Sequence, residues 1–301
     1  FHDWARVGHG RRAYDSSDVT EQRDEAKRLY WLTIFQTPEC FVMLTRCLYL
    51  LVLIAAPATY AGNFDKTLFD KWVEMRVGDG APVYWYSAGT VRAYPGGELV
   101  ATIEGYDTAR LDPEHSSDMK AVQLSRKTYV YRDPETGEVM RDADGAAVAP
   151  IAYPYQLISY ELKGDTLETF VEQGAGPTFR RIGPGTSISA QPVAAGTLFT
   201  APLYLDFELP NGKRYQTFEN YDFFSPAAAG GEGSFIVFVR YGDAPSWVTG
   251  TDKIVMHMTT ERLERFADVP ASFRDWVTEN APGWLEPPRD MAEIRALQAD
   301  K

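Results

Sequence analysis

Met119-Lys-Ala-Val-Gln-Leu-Ser-Arg-Lys-Thr-Tyr-Val-Tyr-Arg-Asp133, followed at once by Pro134-Glu-Thr-Gly137, decides the fold. β-Branched and aromatic residues crowd the first segment, and Asp-Pro-x-x-Gly is turn chemistry, so the stretch reads as a strand running into a tight reversal. The same grammar recurs outward in both directions. Pro82–Tyr94, Glu98–Tyr106, Leu157–Lys163, Leu167–Gln173, Thr197–Leu209, Lys213–Ser225, Ser234–Tyr241 and Lys253–Thr260 all read as strands, with further turns at Lys163-Gly-Asp165 and Pro210-Asn-Gly212. No strand–helix–strand rhythm interrupts them. Hairpins in series must bury one face and protect their edges, and closure does both. The expected fold is therefore all-β: an antiparallel, lipocalin-like or related barrel of about ten strands, with a sandwich as the other arrangement.

Short helices flank this body. Leu68, Trp72 and Met75 recur at helical spacing within Phe64–Met75, and Ala271–Glu279 and Arg289–Ala299 read as two C-terminal helices separated by Asn280-Ala-Pro-Gly283 and Pro287-Pro288. All three are expected at the periphery, as caps or outer cover. Pro150–Pro154 and Gly174–Gly185 read as loops.

Met43–Ala61, MLTRCLYLLVLIAAPATYA, has the order of an export tag: a basic residue, an apolar run, then small residues before a polar Gly62. The apolar run is short of the ~20 residues that a spanning helix needs. The reading places a signal peptide at 43–61 and a mature domain at 62–301 in the periplasm or outside the cell, with no stable membrane span. Residues 1–42 then belong to an upstream artefact or a disordered extension. Cys40 and Cys47 are the chain's two cysteines, and both precede the expected cleavage point, so the mature part has no thiol chemistry.

Composition narrows the chemistry further. Asp and Glu number 42 against 30 Lys and Arg, a net charge of −12, and residues 1–61 carry seven of each sign. An acidic surface without a basic stripe repels phosphate backbones, which makes nucleic acid a poor partner. Only His115 and His257 remain after residue 61, too few for a common zinc site. Asp142-Ala-Asp-Gly145 lacks the remaining ligands of a calcium loop and reads as a turn. Nucleophile elbows, phosphate loops and dinucleotide fingerprints are absent, so no cofactor is expected.

In a barrel, the period of two sorts side chains into a lumen set and an outer set, and polar groups sharing a face with apolar ones are pocket candidates. Arg126 continues the face of Val122, Leu124 and Val130; Arg240 shares a face with Ile236 and Phe238. Either is a candidate for holding a ligand carboxylate, against the plainer role of an internal ion pair. Glu219 and Tyr221 alternate with Tyr215 and Phe223, which offers a carboxylate among aromatics as an acid or base. His257, on the Val255 face, is a candidate proton carrier against the commoner structural role of a lone histidine. Tyr84 and Tyr86, with Tyr129 and Tyr131, belong to an aromatic concentration that suits a flat apolar ligand or simply fills a core.

Tyr129-Val-Tyr-Arg-Asp-Pro-Glu-Thr-Gly-Glu138, taken with Val83–Tyr94, Tyr215–Phe224 and the tail Ala281-Pro-Gly-Trp-Leu-Glu-Pro-Pro288, resembles the domain of unknown function 1838 family. The resemblance spans about residues 83–289 and implies an exported bacterial protein, with no activity and no site residues to carry over. Asp243-Ala-Pro-Ser-Trp247 stands where that family leads one to expect a richer Trp/Pro segment. Two functions remain open from the sequence. One is an exported barrel that binds a small apolar or aromatic molecule in its lumen. The other is a cofactor-independent isomerase or lyase, with Glu219, His257 or Tyr221 as base and Arg126 or Arg240 stabilising an oxyanion.

Overall fold

The computed structural model describes residues 64–174, 179–181, 187–208, 212, 214–228 and 230–299. The expected leader at 43–61 and the stretch 1–42 lie outside the described residues, as does most of 174–185. Tyr60–Lys301 forms one compact unit.

Among the described residues, eleven strands make a single antiparallel sheet: β1 (Val83–Tyr94), β2 (Leu99–Leu111), β3 (Lys120–Arg132), β4 (Ile151–Lys163), β5 (Thr166–Gln173), β6 (Phe179–Arg181), β7 (Ser189–Val193), β8 (Gly196–Glu208), β9 (Arg214–Pro226), β10 (Phe235–Asp243) and β11 (Lys253–Leu263). Their order is β6-β5-β4-β3-β2-β1-β11-β10-β9-β8-β7. Every neighbour is a chain neighbour except β1 and β11, which pair along eleven positions from Tyr84–Leu263 to Tyr94–Lys253 and join the two halves of the meander. The sheet curls into a half-barrel whose seam falls between the short edge strands β6 and β7. One antiparallel bridge, Leu167 to Ile188, spans that seam. Pro192 has no N–H to donate and sits in β7, an edge strand where a ladder bond is dispensable.

The nine strands legible in the sequence are the long ones. β6 and β7 carry too few residues to show a period. β4 differs by starting at Ile151, so Pro150–Pro154 is mostly strand, not the expected loop. Register between β3 and β4 shifts between Ser125 and Lys127, with Ser125 opposite Gln156 and Lys127 opposite Tyr153. Pro154 and Tyr155 together oppose Arg126 there, and a bulge tolerates proline because the extra residue is unpaired.

The N-terminal helix, α1 (Lys66–Val77), starts where the Asp65 carboxylate accepts the Leu68 N–H at 2.8 Å. It ends at Gly78, whose φ of 66° suits only glycine without strain. Arg262 Nη1 from β11 donates to the carbonyls of Glu74 and Met75, at 2.8 and 3.1 Å, completing the end of the helix. This helix does not lie outside the sheet. Trp72, fully buried, meets Tyr160, Phe199 and Phe223 edge-on at 5.4, 5.3 and 4.8 Å, and so fills one end of the curl.

The C-terminal helices behave as cover. α2 (Ala271–Asn280) lays Phe273 and Val277 against Tyr84, Tyr106 and Val130 on the outer face. α3 (Met291–Ala299) packs Ile294 against Val122, Leu124 and Tyr155. Strands β1 to β4 are thus buried on both sides, and no helix among the described residues is long and apolar enough to cross a membrane. Asp142 closes a turn as expected: its side chain accepts the N–H groups of Asp144 and Ala146 at 3.0 and 2.9 Å.

Candidate functional site

A cavity of about 370 Å³ lies inside the curl, beyond the helix plug. Strand alternation builds its wall. β3 contributes Lys127, Tyr129 and Tyr131; β9 contributes Tyr215, Glu219, Tyr221 and Phe223; β10 contributes Ile236, Phe238 and Arg240; β11 contributes Met256 and Met258. Asp107 of β2, Tyr153 and Gln156 of β4, Gln173 of β5, Thr260 of β11 and Arg76 of α1 add to the polar lining. A volume of this size falls within the ~300–1,000 Å³ of small-molecule sites, and the mixture of apolar wall with a few convergent polar groups matches them.

Two of the three cations in the wall have carboxylate partners. Arg240 and Glu219 face each other in register across β9 and β10, with Nε 3.7 Å from Oε1. Arg240 Nη2 also donates to the Tyr215 hydroxyl at 2.8 Å, and the Tyr221 hydroxyl donates to Glu219 Oε2 at 2.8 Å. Both carboxylate oxygens of Glu219 are therefore engaged. Arg76 stands over the rings of Trp85 and Phe223 at 5.3 and 5.6 Å and reaches Asp107 Oδ2 at 3.4 Å. That second pair is incompletely satisfied, since Arg76 Nη1 and Asp107 Oδ1 are buried without a hydrogen-bond partner among the described residues.

Lys127 is the third cation. Its Nζ sits 5.1 Å from the centroid of the Tyr129 ring, with no ion pair or side-chain hydrogen bond among the described residues. Burial by itself pulls its pKa down, but Tyr129, Asp107, Tyr153 and Glu219 act against it and the net shift is upward, so the amine stays protonated. Burial also pushes the Tyr131 phenol up to about 12 and raises that of Tyr153. These hydroxyls remain donors at neutral pH.

The outer face holds this wall in place. At the β3–β4 bulge, Trp284 Nε1 donates to the carbonyls of Lys127 and Tyr153, at 3.1 and 3.0 Å. Arg126, pointing away from the cavity, donates to the carbonyls of Pro154 and Glu286 at 3.0 and 2.9 Å and pairs with Glu293 Oε1 at 2.6 Å. The tail between α2 and α3 thus clamps the backbone that carries Lys127 and Tyr153. On the inside, Gly105 lies opposite Tyr129 in register, and a Cβ there would fall within the Tyr129 ring.

Of the residues singled out from sequence, Tyr129, Tyr131, Glu219, Tyr221 and Arg240 converge on the cavity. Four others do not, which corrects the expectation for each. Arg126 sits on the outer face because Val122, Leu124 and Val130, its apolar companions, are buried under α2 and α3 and not in the lumen. Tyr84 and Tyr86 point the same way: the Tyr84 hydroxyl donates to Glu286 at 3.1 Å, and that of Tyr86 to Glu104 at 3.3 Å. His257 is exposed, because the odd positions of β11 face out while Met256 and Met258 face in. Lys127, Asp107 and Arg76 were not chosen from sequence, while Tyr153 belonged to the aromatic concentration and Tyr215 to the face of Glu219 without being singled out as site residues. Lys127 alternates with Tyr129 and Tyr131, so the period of two carried its signal; Arg76 follows Trp72 by one helical turn. Asp107 had none.

Among the described residues no group of three or more His, Cys, Asp or Glu is placed to hold a metal ion. In comparisons with known proteins, no family model and no curated protein matches the chain.

Proposed function

We propose that this chain is an exported protein that binds a small apolar or aromatic molecule inside the curl of its sheet. The cavity itself carries the reading: about 370 Å³, walled by Ile103, Phe238, Met256 and Met258 together with a ring of tyrosines. Methionines and aromatics adapt to ligand shape while excluding water. Export rests on the Met43–Ala61 pattern, and the net charge of −12 argues against a nucleic-acid partner. The resemblance to the domain of unknown function 1838 family belongs to the same proposal and adds no chemistry to it. Titration of the purified full chain with the neutral fluorophore N-phenyl-1-naphthylamine tests the binding. Saturable enhancement at one site per chain is the expected result; no enhancement, with native mass spectrometry finding no bound small molecule, refutes it.

A second reading, a cofactor-independent isomerase or lyase, is favoured by the grouping of Glu219, Tyr221 and Arg240 at one wall. It needs Glu219 to release one of its partners on substrate binding. Turnover of a metabolite mixture followed by mass spectrometry, lost in Glu219→Gln and kept in His257→Ala, supports it; equal turnover in Glu219→Gln and wild type sinks it.

A further inference from the structure

We infer that the molecule bound in the cavity is a monoanion, a carboxylate or a group of like chemistry, whose charged end is held by Lys127 with the hydroxyls of Tyr129 and Tyr153. The inference rests on the cavity-binding reading and names the class of ligand that it takes.

Charge in the wall carries the argument. Arg76 pairs with Asp107 and Arg240 with Glu219, which leaves Lys127 as the cation without a carboxylate within 4.0 Å among the described residues. An ammonium drawn into a protein wall without a counter-ion loses hydration that nothing replaces, and such groups are ordinarily paired. The ring of Tyr129 offsets part of that cost through its negative face. An anion bound against Lys127 offsets the rest, with a charge-assisted hydrogen bond as the direct contact.

The neighbouring donors fit the same guest. Tyr129 and Tyr153 both act electrostatically on the Lys127 ammonium, and their hydroxyls have no hydrogen-bond partner among the described residues. Each is a donor available to an oxygen, and neither competes for the ammonium as a carboxylate would. The geometry is also built, not incidental: Gly105 makes room for the Tyr129 ring, and Trp284 fixes the carbonyls of Lys127 and Tyr153 from behind. One ammonium matches one negative charge. Asp107 and Glu219 look into the same space and disfavour a dianion such as a phosphate monoester. In the same wall, Phe238, Met256 and Met258 offer an apolar bed for the rest of the ligand.

The experiment sets acids against alcohols of matching shape. Decanoate and 2-naphthoate, with decan-1-ol and 2-naphthalenemethanol, compete with N-phenyl-1-naphthylamine on the full chain at pH 7.5, in wild type, Lys127→Met and Lys127→Arg. The expected result is at least a tenfold preference for the acids in wild type, kept in Lys127→Arg and abolished in Lys127→Met, with the alcohols bound equally in all three. Alcohols bound as tightly as acids in wild type overturn the inference while leaving cavity binding intact, and this comparison holds even if Lys127→Met does not fold. An acid preference that survives in folded Lys127→Met also overturns it. Failure of acids, alcohols and fluorophore alike removes the cavity reading and the inference together.

Discussion

Replacing Gly105 with alanine tests whether the inner wall is built as described, because its effect should change sign with the residue opposite. Gly105 lies in β2 across from Tyr129, and the added Cβ would fall within the tyrosine ring. Its φ is not positive, so alanine meets no backbone penalty and the conflict is purely one of space. In wild type the ring must tilt out of its rotamer or the strands must part, which costs about 1–3 kcal/mol for overpacking of this kind. With Tyr129→Ala as background the space is empty. There Gly105→Ala should stabilise by about 0.5–1 kcal/mol, since alanine loses less conformational freedom in a strand than glycine. The coupling between the two positions is then about 1.5–4 kcal/mol, read from urea unfolding of wild type, both single variants and the double variant. Equal destabilisation by Gly105→Ala in both backgrounds would falsify the packing of Tyr129 against β2, and with it the placement of the Lys127 ammonium.

Trp72→Ala should cost about 3–5 kcal/mol, as for other large-to-small changes of a buried aromatic, while Asp70→Ala on the exposed side of the same helix stays within about 0.5 kcal/mol. Denaturant midpoints measure both, and a loss below about 1 kcal/mol for Trp72→Ala would show that α1 does not plug the curl. Glu293 predicts a pH dependence. Burial alone would raise its pKa, but the Arg289 backbone N–H and the Arg126 and Arg289 guanidinium groups outweigh it and hold the value below the usual one. Its contribution to stability is therefore complete above the unfolded pKa of about 4.3 and is lost as pH falls through the lower folded value. Glu293→Gln should flatten the fall in urea stability between pH 5 and pH 3; parallel profiles for variant and wild type would count against the Arg126 clamp.

The long strands were legible because each satisfies a local rule. Lys120–Arg132 is rich in residues that favour extended backbone, and the Asp133 side chain, accepting the N–H groups of Glu135 and Thr136 at 2.9 and 2.8 Å, makes its turn without help from distant parts of the chain. Leu68, Trp72 and Met75 announced a helix for the same reason. Which face of a strand looks inward was only half legible. On β9 one face is markedly more apolar, and the reading of Glu219 and Tyr221 as lumen-facing agrees with the cavity wall; on β10 both faces are apolar, and Arg240 also reaches the wall. On β3 both faces are apolar, because α2 and α3 bury the outer one, and alternation alone assigned Arg126 to the wrong side while passing over Lys127.

What the chain determines by itself, then, is the succession of long strands and turns, the three short helices and the acidic, thiol-free character after residue 61. These depend on local backbone preference and on composition, which a sequence states directly. Tertiary structure alone decided that α1 enters the curl, that β1 pairs with β11, that Arg126 finds Glu293 on the outer face, and that two arginines of the cavity wall find carboxylates while Lys127 does not. Each of those outcomes is a pairing between residues far apart in sequence, and no property of either partner specifies it until the sheet has closed around them.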